Sequence, residues 1–290
     1  MKLAFLNSCL RELDLEDTFK WAKENGFQCL ELTGAPWYKY VDIEELARGN
    51  VNWLISLEER YGINIVAIMY GGRNLDPDLN IREESLNRLK AIIRSAKNLN
   101  IPVVSTFIGR DYTKPVEENL KLVKEVWPPI IEFAERYNIK IAIENCPMMG
   151  VWPSGLNIAF SPEIWKEIFD ILPSKILGLN FDPSHLVWQG IDYIKAIKDF
   201  GDRIYHVHAK DTEILKDKLS SAGIYGENWW RYRIPGRGLV DWGKLIDTLL
   251  QVGYDGVISI EHEDPVWEGT EEKVKRGLLL GKRHLEQFLD

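Results

Sequence analysis

The sequence predicts a (β/α)8 TIM barrel, an α/β fold forming a single domain over residues 1–290. Short apolar runs alternate with amphipathic segments along the whole chain, and strict strand–helix alternation favours parallel strands joined by helical crossovers. The alternation completes the eight repeats of a barrel, in a chain not far from the ~250 residues typical of that class. No Pro/Gly/Ser-rich linker divides the chain. No strand is followed by GxGxxG, and "YGGRN" (70–74) is a poor substitute, which disfavours a doubly wound open sheet.

The first strand is "KLAFLNS" (2–8), followed by "LEDTFKWAKENG" (15–26), a helical pattern that ends in the glycine expected after a helix. "CLELTG" (29–34), "INIVAIMY" (63–70), "IPVVSTFIG" (101–109) and "KIAIENC" (140–146) are the next strands, each an apolar run of strand length. "SPEIWKEIFDIL" (161–172) opens a helix with a serine cap and a proline in the first turn. "ILGLNFD" (176–182), "IYHVHAK" (204–210) and "GVISIEH" (256–262) complete the set. One connection breaks the rhythm. From Thr212 to Val240, including "GENWWRYRIPGRG", the chain runs well past the ~12–15 residues beyond which structureless connections are uncommon. This long loop, at about 212–240, is expected to be a lid over a binding site, or else a surface elaboration or oligomer contact.

Composition narrows the function classes. At 45% hydrophobic and 28% charged, the chain can bury a sizeable core and is not disordered. Lys and Arg number 36 against 44 acids, a net charge of −8, which argues against the basic stripe of a nucleic-acid binder. "MKLAFLNSCLRELDLED" meets charge after too few apolar residues for a secretory signal or a membrane span, so no membrane association and a cytoplasmic location are expected. The three cysteines, Cys9, Cys29 and Cys146, form no CxxC and read as small hydrophobes in or just after strands.

Barrel active sites gather at the carboxyl ends of the strands, and side chains alternate across a strand. With Ile141 and Ile143 facing the helices, Glu144 faces the barrel axis. The same parity turns Asp182, His206, His208, Ser259 and Glu261 inward. Strands five to eight therefore each deliver one ligand-type residue to one mouth: Glu144, Asp182, His208 and Glu261. Carboxylates packed this closely repel and would take up protons or splay apart. One divalent metal ion resolves the conflict. Oxygen-dominated ligation with a single imidazole favours Mn²⁺, with Mg²⁺, Co²⁺ or Zn²⁺ as alternatives.

"AIEN", "FDPSH", "HVHAKD" and "SIEHED", in that order at successive strand ends, resemble the xylose-isomerase-like TIM-barrel superfamily. The likeness is closest to its sugar (phosphate) isomerase/epimerase branch, with tagatose/psicose 3-epimerases and inosose dehydratases as relatives, and is strongest from about residue 140 to 265. The resemblance implies metal ligands at Glu144, Asp182, His208 and Glu261, with Glu144 and Glu261 also serving as the acid/base pair, and a substrate-oxygen histidine at His185. It also implies a small carbohydrate substrate and a homodimer or homotetramer, although no stretch declares an interface. The sequence departs from the epimerases in one respect. Six residues after the metal histidine they carry a substrate-binding arginine, where this chain has Ile214. Arg231, Arg233 or Arg237 from the long loop is the expected replacement.

The expected chemistry is that of a metal-dependent sugar isomerase or epimerase acting on a keto sugar or keto-polyol through an enediolate, the ion serving as Lewis acid while one glutamate removes a proton and the other returns one. If a β-hydroxyl leaves the same enolate, the outcome is dehydration, so a lyase acting on an inosose or a 3-keto-glycoside is the alternative. Lys210 and Asp211 are expected to orient ligands, Glu31 to bind a substrate hydroxyl or form an internal ion pair, and Arg237 in "PGRG" to meet a carboxylate or phosphate. Of 11 tryptophans, Trp37, Trp152, Trp188, Trp229, Trp230 and Trp267 follow strands and suit an aromatic-walled sugar pocket or the packing of loop bases. A non-catalytic sugar-binding barrel would not require both Glu144 and Glu261. An endonuclease-IV-like nuclease needs early histidines, and this chain has none before His185.

Overall fold

The computed structural model describes residues 1–148 and 154–289. Its strands are β1 (Lys2–Phe5), β2 (Cys29–Thr33), β3 (Asn64–Tyr70), β4 (Val103–Thr106), β5 (Lys140–Glu144), β6 (Leu177–Phe181), β7 (Ile204–Ala209), β8 (Asp211–Ile214), β9 (Trp230–Arg233) and β10 (Val257–Ile260). Eight form one sheet in the order β1-β10-β7-β6-β5-β4-β3-β2, every pairing parallel. A parallel bridge from Leu6 to Glu31 joins its two edges. The chain is a single-domain TIM barrel, as the alternation predicts.

Most crossover helices are started by a local signal. Asp14, Asp42, Asp78, Asp192 and Asp241 each accept a backbone N–H of the first turn, which supplies partners for donors that the helix cannot satisfy itself. Ser161 precedes the helix Pro162–Ile171 with Pro162 in the first turn, as expected, although its hydroxyl makes no capping bond. The apolar stripes of these helices meet the outward faces of the strands, where Phe5, Leu32, Ile68, Val104, Ile141, Leu179, Val207 and Ile258 lie in one continuous core.

The barrel interior is layered. Ala67, Val103 and Ala142 fill its lower part, with Tyr205 packed against them. A Cβ on Gly178 would stand 2.3 Å from the Arg203 carbonyl oxygen, so only glycine admits this close approach. Above this apolar plug the interior turns polar. Glu31, Ser105, Asn180 and His206 are buried there, and the ligand-type residues follow at the carboxyl end.

The connection after β7 is not structureless. It folds as the antiparallel β8–β9 hairpin, pairing Asp211 with Arg233 and Ile214 with Trp230, and carries a helix at Lys216–Ala222. Its aromatics pack largely on their surroundings: Trp230 stacks on Trp188 with ring centroids 4.8 Å apart, and Trp229 meets both edge-on. Thr212 Oγ1 donates to the Ser184 carbonyl at 2.8 Å. The "PGRG" turn is anchored. Asp211, expected to orient ligands, instead accepts from the N–H groups of Gly236 (3.1 Å) and Val240 (2.9 Å) and from Trp242 Nε1 (3.2 Å). A Cβ on Gly238 would lie 2.2 Å from the Asp211 carboxylate.

Candidate functional site

Glu144 is the last residue of β5, Asp182 follows β6, His208 is in β7 and Glu261 follows β10. All four are buried, and one ligand atom from each lies within 4.8 Å of the others. Local structure aims them. Asp182 caps the short helix Pro183–Gln189, its Oδ1 accepting from the Ser184 N–H at 2.8 Å, which leaves Oδ2 for the mouth. Asn145 clamps the Asp182 backbone from both sides, its Nδ2 donating to the carbonyl and its Oδ1 accepting from the N–H, each at 2.8 Å. Asn157 Nδ2 holds the carbonyls of Glu144 at 2.9 Å and Cys146 at 2.7 Å.

His208 connects two layers. Its Nδ1 lies 3.2 Å from Glu261 Oε2 and 3.7 Å from Glu144 Oε1. Its Nε2 lies 3.2 and 3.1 Å from the Glu31 oxygens, and Glu31 also meets His206 Nε2 at 3.0 Å. Glu31 was expected to bind a substrate hydroxyl. It is instead fully buried beneath the ligand layer and forms the internal pair that was the other expectation. A carboxylate on Nε2–H fixes the ring with Nδ1 toward the mouth, where it can ligate a metal once deprotonated, the arrangement typical of metal-ligating histidines. His185 Nε2 lies 3.2 Å from Asp182 Oδ2 and 3.4 Å from Glu144 Oε1.

Electrostatics keep Glu144 and Asp182 charged. Burial alone would raise Glu144, but the His208 and His185 imidazoles hold it down at about 2. Burial likewise opposes ionisation of Asp182, and Lys210 and His185 drive it below the usual carboxylate range. His208 is pushed well above its ordinary value, because Glu31, Glu261 and Glu144 outweigh its burial. Lys210 is fully buried, its Nζ 2.6 Å from Glu261 Oε2, 2.9 Å from Glu263 Oε2 and 3.2 Å from Asp182 Oδ2.

The donor set fits a divalent cation. Glu144 Oε2, Asp182 Oδ2, His185 Nε2 and His208 Nδ1 are buried without a hydrogen-bond partner among the described residues. An unsatisfied buried polar atom costs about 1–3 kcal/mol, so several around one point call for a shared electrophile. The neighbouring trio Glu31, His206 and His208 is already hydrogen-bonded internally. Cys146, grouped with Glu144 and His185, is held as a neutral thiol by burial and packs on Leu6, Met69 and Phe107.

The mouth is a cavity of about 630 Å³ lined by the polar Glu144, Glu261, Glu263 and Lys210 and by the apolar Leu6, Trp37, Met69 and Phe107. Arg237 is exposed and does not line it. Arg231 and Arg233 are bound to Glu213, and Arg233 also to Asp264 at 2.9 Å. None of the three therefore takes the place of the arginine that Ile214 replaces. Trp152 lies outside the described residues. Sequence reasoning passed over Tyr232, whose hydroxyl meets His185 Nδ1 at 2.8 Å and whose ring lies 4.5 Å from Lys210 Nζ. No sequence signal marks it, since its position depends on how the hairpin docks. Glu263 was legible: it shares the parity of Glu261.

A sequence model of the family described as xylose isomerase-like TIM barrel matches residues 19–284. The Uncharacterized protein YfiH of Bacillus subtilis (strain 168) is 25% identical over 294 residues, covering 91% of this chain and 93% of that protein. The inosose dehydratase of Clostridium perfringens is 31% identical over 151 residues, so the match spans 50% of each chain. In structure, a D-tagatose 3-epimerase-like protein superposes with a TM-score of 0.73 at 24% identity, covering 99% of this chain and 98% of that one. Among the described residues no helix is long and apolar enough to cross a membrane.

Proposed function

Since the chain belongs to the xylose isomerase-like TIM-barrel family, we propose that it is a divalent-metal-dependent isomerase or epimerase of a keto sugar or keto-polyol. The observation that carries this reading is the convergence of Glu144, Asp182, His208 and Glu261 at the barrel mouth, all four buried and with one ligand atom of each within 4.8 Å of the others. These four residues would hold the ion, with Mn²⁺ favoured by the oxygen-rich donor set. When bound, the ion supplies Lewis acidity that favours loss of a proton next to the sugar carbonyl.

The side chains do the rest. Glu144 and Glu261 come from strands with β6 and β7 between them, so they approach the reacting carbon from different sides. One removes its proton to give the enediolate and the other returns a proton. His185, oriented by the Tyr232 hydroxyl on Nδ1, directs Nε2 at a substrate oxygen. Glu31 orients His208 from below. Lys210 neutralises Glu261 and Glu263 and limits repulsion in the unliganded mouth. A dehydratase is the second reading, and the identity shared with inosose dehydratase favours it: expulsion of a β-hydroxyl after the same proton removal needs no additional base.

The test is deuterium wash-in. With Mn²⁺ added, the protein should exchange a carbon-bound hydrogen of at least one member of a ketose and inosose panel in D₂O. An enone or diketone absorbance would identify the dehydratase instead. No exchange with any sugar that binds would leave a non-catalytic binding barrel.

Two further outcomes follow from the layering. Glu31→Gln should weaken Mn²⁺ binding about 10–100-fold, as outer-shell partners of ligating histidines do, measured by isothermal titration; unchanged affinity would remove Glu31 from this role. Metal binding should also release a proton. His208 lies well above its ordinary value without metal, so Nδ1 must lose its proton before it can donate, whereas Glu144 and Asp182 are already ionised. Affinity should therefore fall as pH drops below the His208 value. In the metal-free protein the sign is opposite: a raised histidine contributes stability that is complete below its unfolded value and lost as pH rises through the folded one. Titrations in buffers of different ionisation enthalpy measure the released proton.

A further inference from the structure

The cations of the mouth differ in what they are free to do. Arg11, Arg73 and Lys210 line the cavity. Lys210 is held by Glu261, Glu263 and Asp182. Arg73 is ion-paired with the buried Asp76. Arg11 has no carboxylate within ion-pair distance among the described residues. Its guanidinium lies over the Trp37 ring, 5.2 Å from the centroid. Stacking engages the π face of a guanidinium and leaves the in-plane N–H fork available, the geometry that matches a carboxylate or phosphate.

Position strengthens the case. Arg11 follows β1, across the barrel from the Glu144 strand β5 and next to β10, and it also lines a second cavity, of about 360 Å³, with Ser8, Cys9, His262 and Glu268. The two cavities share Ser8, Arg11 and Glu263, so Arg11 stands where the mouth opens into a side chamber. The mouth also carries an apolar cluster of Leu6, Met69, Phe107 and Cys146, suited to the C–H face of a sugar chain. No arginine from the β8–β9 hairpin is free to meet a charged substrate there.

We propose that Arg11, stacked on Trp37 at the junction of the two cavities, docks an anionic group at the end of the substrate remote from its carbonyl, so that the substrate is an acidic keto sugar. This rests on the reading above that the carbonyl end sits at Glu144 and Glu261. A carboxylate and a phosphate share the chemistry required.

The experiment measures binding of D-fructose, D-fructose 6-phosphate and 5-keto-D-gluconate to the Mn²⁺-loaded full chain by calorimetry. At least one anionic probe should bind about tenfold or more tightly than D-fructose, and that advantage should shrink at high salt because the site is near the surface. Which probe gains distinguishes phosphate from carboxylate. Arg11→Gln should remove the advantage while D-fructose affinity stays within about twofold, and Arg11→Lys should restore part of it, since lysine keeps the charge but loses the fork. Anionic probes binding no better than D-fructose, or not at all, would overturn the proposal. Equal weakening of all three probes in Arg11→Gln would overturn it as well. Failure of the underlying reading looks different: no Mn²⁺ binding and no deuterium exchange by the unmutated chain, whatever Arg11 does.

Discussion

Glu144→Gln should lower turnover by about 10²–10⁴-fold, the usual contribution of a positioned general acid or base, while much of the Mn²⁺ affinity is kept. The amide keeps the shape of the side chain and one oxygen for ligation, but it cannot accept a proton at neutral pH. The held-down value of Glu144, at about 2, means that in the metal-free protein this carboxylate is already in the basic form the reaction needs. Glu261→Gln should show a comparable loss, and comparing the two variants on a single ketose assigns which residue removes the proton. Wash-in can persist when only the returning acid is lost, whereas loss of the base abolishes both exchange and turnover. Full activity in Glu144→Gln would take that residue out of the chemistry.

Saturating Mn²⁺ should raise the thermal midpoint by on the order of 10 °C. A ligand that binds only the folded state at ~1,000 times its Kd adds about 4.1 kcal/mol, and each kcal/mol moves a large domain by ~2–4 °C. The effect should be reversed by a chelator. Asp182→Asn gives the sharper comparison. Asparagine can still cap the helix Pro183–Gln189 by accepting from the Ser184 N–H, so the metal-free midpoint should fall only by what the lost pairing with Lys210 and His185 contributed, while most of the metal-induced rise disappears. An equal fall in both states would mean that Asp182 serves the helix alone. Differential scanning fluorimetry with and without metal separates these outcomes.

Several features of the site were open to sequence reading because they depend on local rules. Strand parity turns Glu144, His208 and Glu261 inward, and the aspartate followed by proline at the end of β6 is both a helix start and a residue aimed at the mouth. The same parity gave Glu31 the same inward sense as Glu261, yet the two lie in different layers. Parity gives a direction but not a height. Height is set by register between strands, here shifted at Leu30/Glu31 in β2 and at Leu179/Asn180 in β6. Such bulges arise from pairing with a neighbouring strand and leave no mark in the strand itself.

The amino-acid sequence by itself determined the barrel, the order of its strands and the inward sense of the ligand-type residues, because a side-chain period of two and the helical crossover are properties of short stretches of chain. The tertiary structure alone decided that Glu31 supports rather than lines the site, that Asp211 anchors a turn, that the arginines of the hairpin are consumed by Glu213 and Asp264, and that Tyr232 reaches His185. The physical reason is that a buried charge takes whichever partner the fold brings within a few ångströms, and those partners are far from it along the chain.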